Sequence, residues 1–478
     1  MMETMIKQDG ISFKELEQEI FRKICEAGRQ ITVKILEEYD QYLMKSRDRK
    51  TYRNKGKRQT TIKTVYGEVT YSRTVYETTD EYGTKRFVYL LDETLELENI
   101  GLISENYASM LVAGITEMSY RTCAEKVSRM TGQSISAMGV WNVIQALGGT
   151  VCEKEKELVK AHREGQVKGI RKAPVLFEEA DGVWISLQGR DRRKNGFDKA
   201  EMKVSIAYDG WKHEGGQRYK LDGKVSTAGF EKAKDFQEAR EAMIASVYDL
   251  DETELRLLNG DGAKWIKNVK DKSTVFQLDP FHRNKAVREN IKDGRARQEI
   301  HEYLDNCDLD GLFEYLEMYR DSLEEEEWAE KAGILTEYFR SNREGLLPYR
   351  KMGLDIPESP EGLCYRDMGT MENHVCSIIA HRMKGRRCSW TLKGGNHLAK
   401  ILAKKQMGRL YEVTERLKKP LFEKEKVDEI ADRILSAKQS AEQIGKGYGY
   451  PVKGHLPILD HAIIGDGHKR RMMAGFCM

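Results

Sequence analysis

Between Pro174 and Arg283, apolar runs short enough for strands alternate with stretches of helical periodicity, and that order constrains the chain more than any other feature. Val175 to Asp181 is apolar and then acidic, Val183 to Leu187 resumes after an Asp181-Gly182 turn signal, and Lys203 to Tyr208 stops before Asp209-Gly210. These runs read as a three-strand meander. A helix is expected from about Lys232 to Val247, and a short strand from Glu254 to Leu258 that ends in Asn259-Gly260-Asp261-Gly262. Another helix begins near Ala263, a strand covers Thr274 to Leu278 and ends at Asp279, and a helix starts after Pro280.

Strand, strand, strand, helix, strand, helix, strand, helix is the order of an RNase H-like core. Within it, Asp181 and Asp261 each close a strand and precede glycine. Two such strands lying side by side bring both carboxylates within reach of one ion. Like charges about 4 Å apart repel, so one carboxyl would have its pKa raised unless a cation sits between them. Asp-Gly alone is weak, since Asp209-Gly210, Asp222-Gly223, Asp310-Gly311 and Asp466-Gly467 share it. Placement at the ends of the first and fourth expected strands distinguishes the pair.

Beyond Arg283 the sequence turns long-helical and charged to about Arg343, including Glu324 to Glu327, and reads as an all-helical insertion. After a loop bearing Pro348, Pro357 and Pro360, Gly369-Thr370-Met371-Glu372 opens a helix with Arg382, Lys384, Arg386 and Arg387 near its end. Those cations would hold phosphates. From His397 to Gln443 charged helix is expected, before a Gly-rich tail with Lys469, Arg470 and Arg471.

Ahead of the core, Phe13 to Met44 has helical spacing, with Leu16, Ile20, Ile24, Ile31 and Ile35 on one side of a leading helix or helix pair. Thr61 to Tyr76 alternates about Tyr66-Gly67-Glu68 as a β-hairpin. From Gln41 to Val75 ten Lys or Arg stand against Asp48 and Glu68, a net +8 on a chain whose total is +3. Such a local excess suits a phosphate surface, with Arg53, Lys55, Lys57 and Arg58 at its centre. Three helical segments follow: Ser104 to Ile115, Ser119 to Met130, and one after the N-cap Ser136. They outline a helix-turn-helix in which Arg121, Lys126 and Arg129 could hold phosphates and Asn142 and Gln145 could meet bases.

A chain of 478 residues has room for roughly two to four units. The expected fold class is multidomain α+β or α/β: an RNase H-like core, a mixed five-stranded sheet with helices, interrupted by a helical insertion. The expected division is 1–100 for the leading helix and basic hairpin, 101–170 for the helix-turn-helix-like domain, 171–283 for the first part of the core, 284–368 for the insertion, 369–400 for the last core helix and 401–478 for the C-terminal region. Hydrophobic residues at 40% and charged residues at 33% fit globular units with much solvated helix surface. No apolar stretch approaches the roughly 18–20 residues of a membrane helix, and Met1 to Gly10 lacks a signal-peptide core. A cytoplasmic protein with no membrane partner is expected. Eight scattered cysteines without C-x-x-C read as reduced thiols, and Cys364, His374, Cys376, His381 and Cys388 fit no common zinc spacing.

The segments FEEADGVWISLQ (Phe177 to Gln188), LNGDGAKWIK (Leu258 to Lys267), QLDPFHRNK (Gln277 to Lys285) and GTMENHVCSIIAHRMKGRRCSW (Gly369 to Trp390) together resemble the DDE transposases of bacterial insertion sequences. The resemblance is to their ISLre-type branch, akin to the Mutator-like class, and spans about Lys50 to Leu402. It implies that Asp181, Asp261 and Glu372 are the catalytic acids and metal ligands, Glu372 being preferred over the neighbouring Glu358, Glu361 and Asp367 by its helical context and this match. Asp279 and His282 match an accessory Asp-x-x-His element, which would support the site or contact DNA; His282 could instead cap the helix after Pro280. Trp390 reads as packing.

Two Mg²⁺ ions, or Mn²⁺ in their place, would lower the pKa of a bound water or 3′-hydroxyl and stabilise an in-line displacement at phosphorus. The chain has neither a G-x-S-x-G elbow nor a P-loop, so no protein nucleophile and no nucleotide cofactor are expected. The implied partners are double-stranded DNA, both element ends and target, and at least a second copy of the chain on DNA. A DNA-binding factor with an inactive or domesticated core, and a metal-dependent nuclease outside transposition, are the alternatives.

Overall fold

Ten consecutive residue pairs, from Phe177 opposite Tyr208 to Ser186 opposite Lys199, bind two antiparallel strands at the centre of the sheet. The computed structural model that shows them describes residues 10–80, 82–95, 102–194, 196, 198–268, 273–415 and 422–447. The chain divides into two compact units, one of residues 1–146 with 414–478, the other of residues 147–413.

In the first unit, α1 (Phe13–Ser46) is a single helix opened by a capping box, Ser12 with Glu15. Its buried positions are Leu36 and Asp40, and the latter's carboxylate accepts from Thr74 N and Oγ1 at 2.9 and 2.7 Å. Leu16, Ile20 and Ile24, expected on a packed stripe, are exposed. Strands β1 (Arg53–Thr64) and β2 (Gly67–Thr79) form the expected hairpin, extended by β3 (Lys85–Val88). The centre of the basic run, Arg53 to Arg58, lies within β1, while Lys45 is in the last turn of α1 and Arg73 is on β2. Leu36, Ile62, Val69, Tyr71 and Leu91, the last on α2 (Leu90–Thr94), make the core. Helices α3 (Glu105–Glu117) and α4 (Tyr120–Thr131) follow, and α4 ends at Gly132, whose φ of +68° is the left-handed stop that glycine adopts freely. Then comes α5 (Ala137–Arg163), inside which the boundary between the units falls.

The second unit is built on a mixed five-stranded sheet. Its members are β4 (Val175–Ser186), β5 (Lys199–Tyr208), β8 (Val225–Gly229), β9 (Leu255–Gly260) and β10 (Thr274–Leu278), in the order β10-β9-β4-β5-β8. β10, β9 and β4 are mutually parallel; β5 is antiparallel to β4 and β8. Five strands were expected, but not these five. The Asp181-Gly182 turn does not exist: Asp181 pairs with Val204 and Gly182 with Lys203 inside one continuous strand, because pairing along the whole length of β5 overrides a local turn preference. The fifth member is β8, reached through a small hairpin of β6 (Gly210–Gly215) and β7 (Arg218–Asp222).

Connections run through α6 (Gly189–Lys194), α7 (Ala233–Ala245), α8 (Lys264–Lys267) and α9 (Pro280–Asn290). The insertion holds α10 (Gly294–Asp305), α11 (Leu309–Asp321) and α12 (Glu326–Ser341), which bury Ile300, Leu304, Leu312, Leu335 and Phe339 against Leu278 at the end of β10. The chain returns through α13 (Met371–Val375), one π-helical turn over Cys376–Ala380, α14 (His381–Met383) and α15 (Leu392–Gln406). No helix among the described residues is long and apolar enough to cross a membrane.

Candidate metal centre

β4 and β9 are in parallel register up to Ala180 opposite Gly260, so Asp181 and Asp261 follow as neighbours at the carboxyl edge of the sheet. β9 stops there and Asp261 turns out of the strand, its Oδ1 accepting from Ala263 N at 2.8 Å. The turn requires glycine at 262: φ is +87°, and a Cβ would lie 2.5 Å from Asn342 Oδ1. β10 ends beside them, with Asp279 N donating to Gly260 O at 2.8 Å. Asp279, not His282, caps α9, its Oδ1 accepting from Phe281 N at 2.8 Å and His282 N at 3.2 Å, with Pro280 in the first turn. That cap aims the His282 ring at Asp181, Nε2 lying 3.6 Å from Oδ2.

Glu372 completes the cluster from the first turn of α13. One ligand atom each from Asp181, His282 and Glu372 lies within 4.8 Å of the others, the one such group of three among the described residues. Asp181 is buried and Glu372 exposed, so the centre opens to solvent on one side. Asp261 stands outside that trio yet shares its field, since burial first and the Asp181 charge next push its carboxyl above the usual range. His282 is held above its ordinary value first by the Asp181 carboxylate its ring faces and then by that carboxylate's charge. Clustered carboxylates with one imidazole, one side open to solvent, suit a divalent cation that prefers oxygen.

Sequence reading missed Glu179. It shares a strand face with Asp181 two residues on and is fully buried. Its Oε1 accepts from Tyr208 Oη and Thr370 Oγ1, both at 2.6 Å. Its Oε2 accepts from the main-chain N–H groups of Gly369, Thr370 and Met371 at 3.2, 2.8 and 3.1 Å, and from Asn259 Nδ2 at 3.2 Å. The same Asn259 amide donates to Asp279 Oδ2 at 2.6 Å. One buried carboxylate thereby fixes the loop that presents Glu372 and joins it to the cap that aims His282. Two adjacent acids, Glu178 and Glu179, inside the otherwise apolar run Val175 to Ala180 were the only signal. Glu201 was missed too: it accepts from Trp265 Nε1 at 3.2 Å and adds its charge to the field at Asp261.

A family model described as Uncharacterised protein family (UPF0236) matches residues 6–419. The chain belongs to UPF0236. One UPF0236 protein of Caldanaerobacter subterraneus subsp. tengcongensis is 26% identical over 419 residues, 84% of this chain and 81% of the relative. A second from the same organism, whose name joins eleven locus designations, is 26% identical over 428 residues, 86% and 82% of the two chains. A UPF0236 protein of Streptococcus gallolyticus, named for the vanSb 3′ region, is 24% identical over 358 residues, 73% of each.

In this UPF0236 chain the other residues singled out from the sequence fall in different places. Arg53, Lys55, Lys57 and Arg58 are exposed on β1, and Lys55 pairs with Glu77 at 2.9 Å. Arg121 and Lys126 are exposed on α4, as are Lys384 and Arg387 beyond α14; the Arg386 side chain lies outside the described residues, as do Lys469, Arg470 and Arg471. Arg382 is a correction. It is 7% exposed and lies over the Trp390 ring at 5.1 Å, an interior stack instead of a phosphate contact. Trp390 is buried, its Nε1 donating to Met383 O at 3.0 Å. Cys364 sits apart beside Trp211, and the Cys and His residues near it form no metal group among the described residues.

Proposed function

We propose that this UPF0236 protein is a metal-dependent transposase that cuts and joins DNA strands at the ends of an insertion sequence. The observation that carries the reading is the convergence of Asp181, His282 and Glu372, with Asp261 beside them, at the carboxyl edge of the sheet. Numbered by their place in the chain, the five strands lie in the order 5-4-1-2-3 with only the second reversed against its neighbours, which supports an RNase H-like core. A relative whose one name joins eleven locus designations in a single bacterium fits a gene that multiplies within its genome.

Asp181, Asp261 and Glu372 would hold Mg²⁺ or Mn²⁺, which when bound supplies charge stabilisation to an in-line displacement at phosphorus. His282 orients Asp181 and, when protonated, balances its charge until the centre is loaded. Exposed Glu372 leaves that side of the centre open to a DNA strand. The exposed cations of β1 and α4 supply phosphate contacts to double-stranded DNA, and two copies of the chain bring two ends together. A cytoplasmic, nucleoid-associated location follows from that substrate.

The test is cleavage and joining of labelled DNA carrying the element's end, in Mg²⁺ or Mn²⁺, with the native chain, Asp181→Asn, Asp261→Asn and Glu372→Gln. Loss of both reactions in all three variants with DNA binding retained is the expected result. A native chain that binds ends and never cuts them would instead point to a DNA-binding factor. Cutting without strand transfer would point to a nuclease.

A further inference from the structure

The sheet is not equally deep along its strands. β9 stops at Gly260, opposite Ala180, and β8 pairs only with Lys203 to Ala207 of β5. Past Gly182, therefore, β4 and β5 continue as a two-stranded ribbon, Val183 to Ser186 against Lys199 to Met202, that projects beyond the acids. One ribbon face is interior, with Val183 and Ile185 buried. The opposite face carries Trp184, which is 57% exposed.

At the ribbon's end stands α6, whose sequence Gly-Arg-Asp-Arg-Arg-Lys holds four cations and one acid. The acid is engaged: Asp191 Oδ2 accepts from Leu392 N at 2.8 Å. Arg192 pairs with Asp198 at 2.6 Å. Arg190, Arg193 and Lys194, three and four apart and so on one helix face, are exposed. The far end of this arm, next to α6, is strapped down, Trp390 N donating to Ser186 O and Gln188 N to Trp390 O, each at 2.9 Å. A firmly anchored ribbon with a basic end and an exposed tryptophan suits a polyanion with stacking groups better than it suits bare solvent.

We propose that this ribbon and α6 are a DNA-gripping arm: Arg190, Arg193 and Lys194 take backbone phosphates of the duplex whose reacting phosphate lies at Asp181, and Trp184 contacts the nucleotides between. The inference rests on the transposase reading above. Six residues of extended strand separate Asp181 from Leu187, about 20 Å. Duplex DNA places one phosphate per strand about every 3.4 Å along its axis. The arm therefore meets the backbone about six nucleotides from the reacting phosphate.

The experiment is fluorescence anisotropy of a labelled mixed-sequence DNA duplex with the full chain, across a salt series, for the native protein and Arg190→Ala/Arg193→Ala/Lys194→Ala. All three positions are exposed, and a thermal melt verifies that the variant is folded. Each lost phosphate contact lowers the slope of log affinity against log salt by about 0.9. The variant is expected to show a slope shallower by about 2.7 and an affinity at least about tenfold weaker at low salt. A folded variant with native slope and affinity overturns the arm and leaves the transposase reading standing. A native chain that does not bind the duplex overturns that reading, and the arm falls with it. A loss seen on an RNA duplex of the same sequence but not on DNA overturns the assignment to DNA.

Discussion

Replacing Glu179 with leucine tests how the centre is assembled. The substitution removes the acceptor for three consecutive main-chain N–H groups, those of Gly369, Thr370 and Met371, and for two hydroxyls and an amide. The hydroxyls of Tyr208 and Thr370 can rotate to other acceptors, and the Asn259 amide keeps Asp279. The three main-chain groups cannot. Each buried donor left unsatisfied costs about 1–3 kcal/mol, so the docked loop is destabilised by about 3–9 kcal/mol. Release of the loop to water limits the loss to the low end, about 3 kcal/mol. At about 1.4 kcal/mol per factor of ten, that makes Glu372 about a hundredfold less often in place. Titration of Mn²⁺ into the full chain, with free ion read by electron paramagnetic resonance, should show a fall of that order for Glu179→Leu. Glu179→Gln should stay within about 1 kcal/mol of native, because its amide oxygen can face the three N–H groups while its NH₂ donates to the two hydroxyls. If Glu179→Leu binds Mn²⁺ like the native chain while Glu372→Gln does not, the reasoning is refuted.

Three further outcomes follow from single interactions. His282 is held above its ordinary value of 6.5 by Asp181, so the metal-free protein gains stability that is fully present below about pH 6.5 and lost as pH rises through the raised value. Melting in EDTA should show that loss, and His282→Gln should flatten it. Lys400 is buried with its Nζ 2.6 Å from Glu155 and 2.9 Å from Glu231. Lys400→Met leaves two interior carboxylates without their cation and should cost about 3–5 kcal/mol in chemical denaturation, whereas an unchanged midpoint would contradict the role. Arg382→Ala removes the stack over Trp390; a lower melting temperature with an unchanged DNA salt slope is expected, and a shallower slope would restore Arg382 to the DNA surface.

The sequence made the elements around Asp261 and Glu372 readable because their signals are local: a glycine turn at a strand end, and a helix start after a proline-rich loop. It misled at Asp181 because the same dipeptide sits in the middle of β4, held straight by β5. β8 escaped notice because Val-Ser-Thr-Ala-Gly is too short and too small-sided to stand out, although all five residues are buried. His282 and Asp279 kept several possible roles until the cap geometry separated them. Glu179 was beyond any local rule, since its partners Gly369 to Met371 lie 190 to 192 residues away. The reach of the β4–β5 ribbon was equally hidden, for it depends on where β9 and β8 stop.

That long tie between Glu179 and the Glu372 loop also governs when the centre comes into being. During synthesis the sheet strands and the insertion helices are made before residue 372 exists, and the closure that brings the loop home spans almost two hundred residues. Closing so long a loop carries an entropic cost that only the finished interior can offset. A chain cut short between the end of β10 and Met371 would keep Asp181, Asp261 and the basic surfaces of β1 and α4 but never acquire Glu372. Under the activity proposed above, truncated gene copies would yield proteins that occupy DNA without cutting it, and so restrain the intact copies beside them.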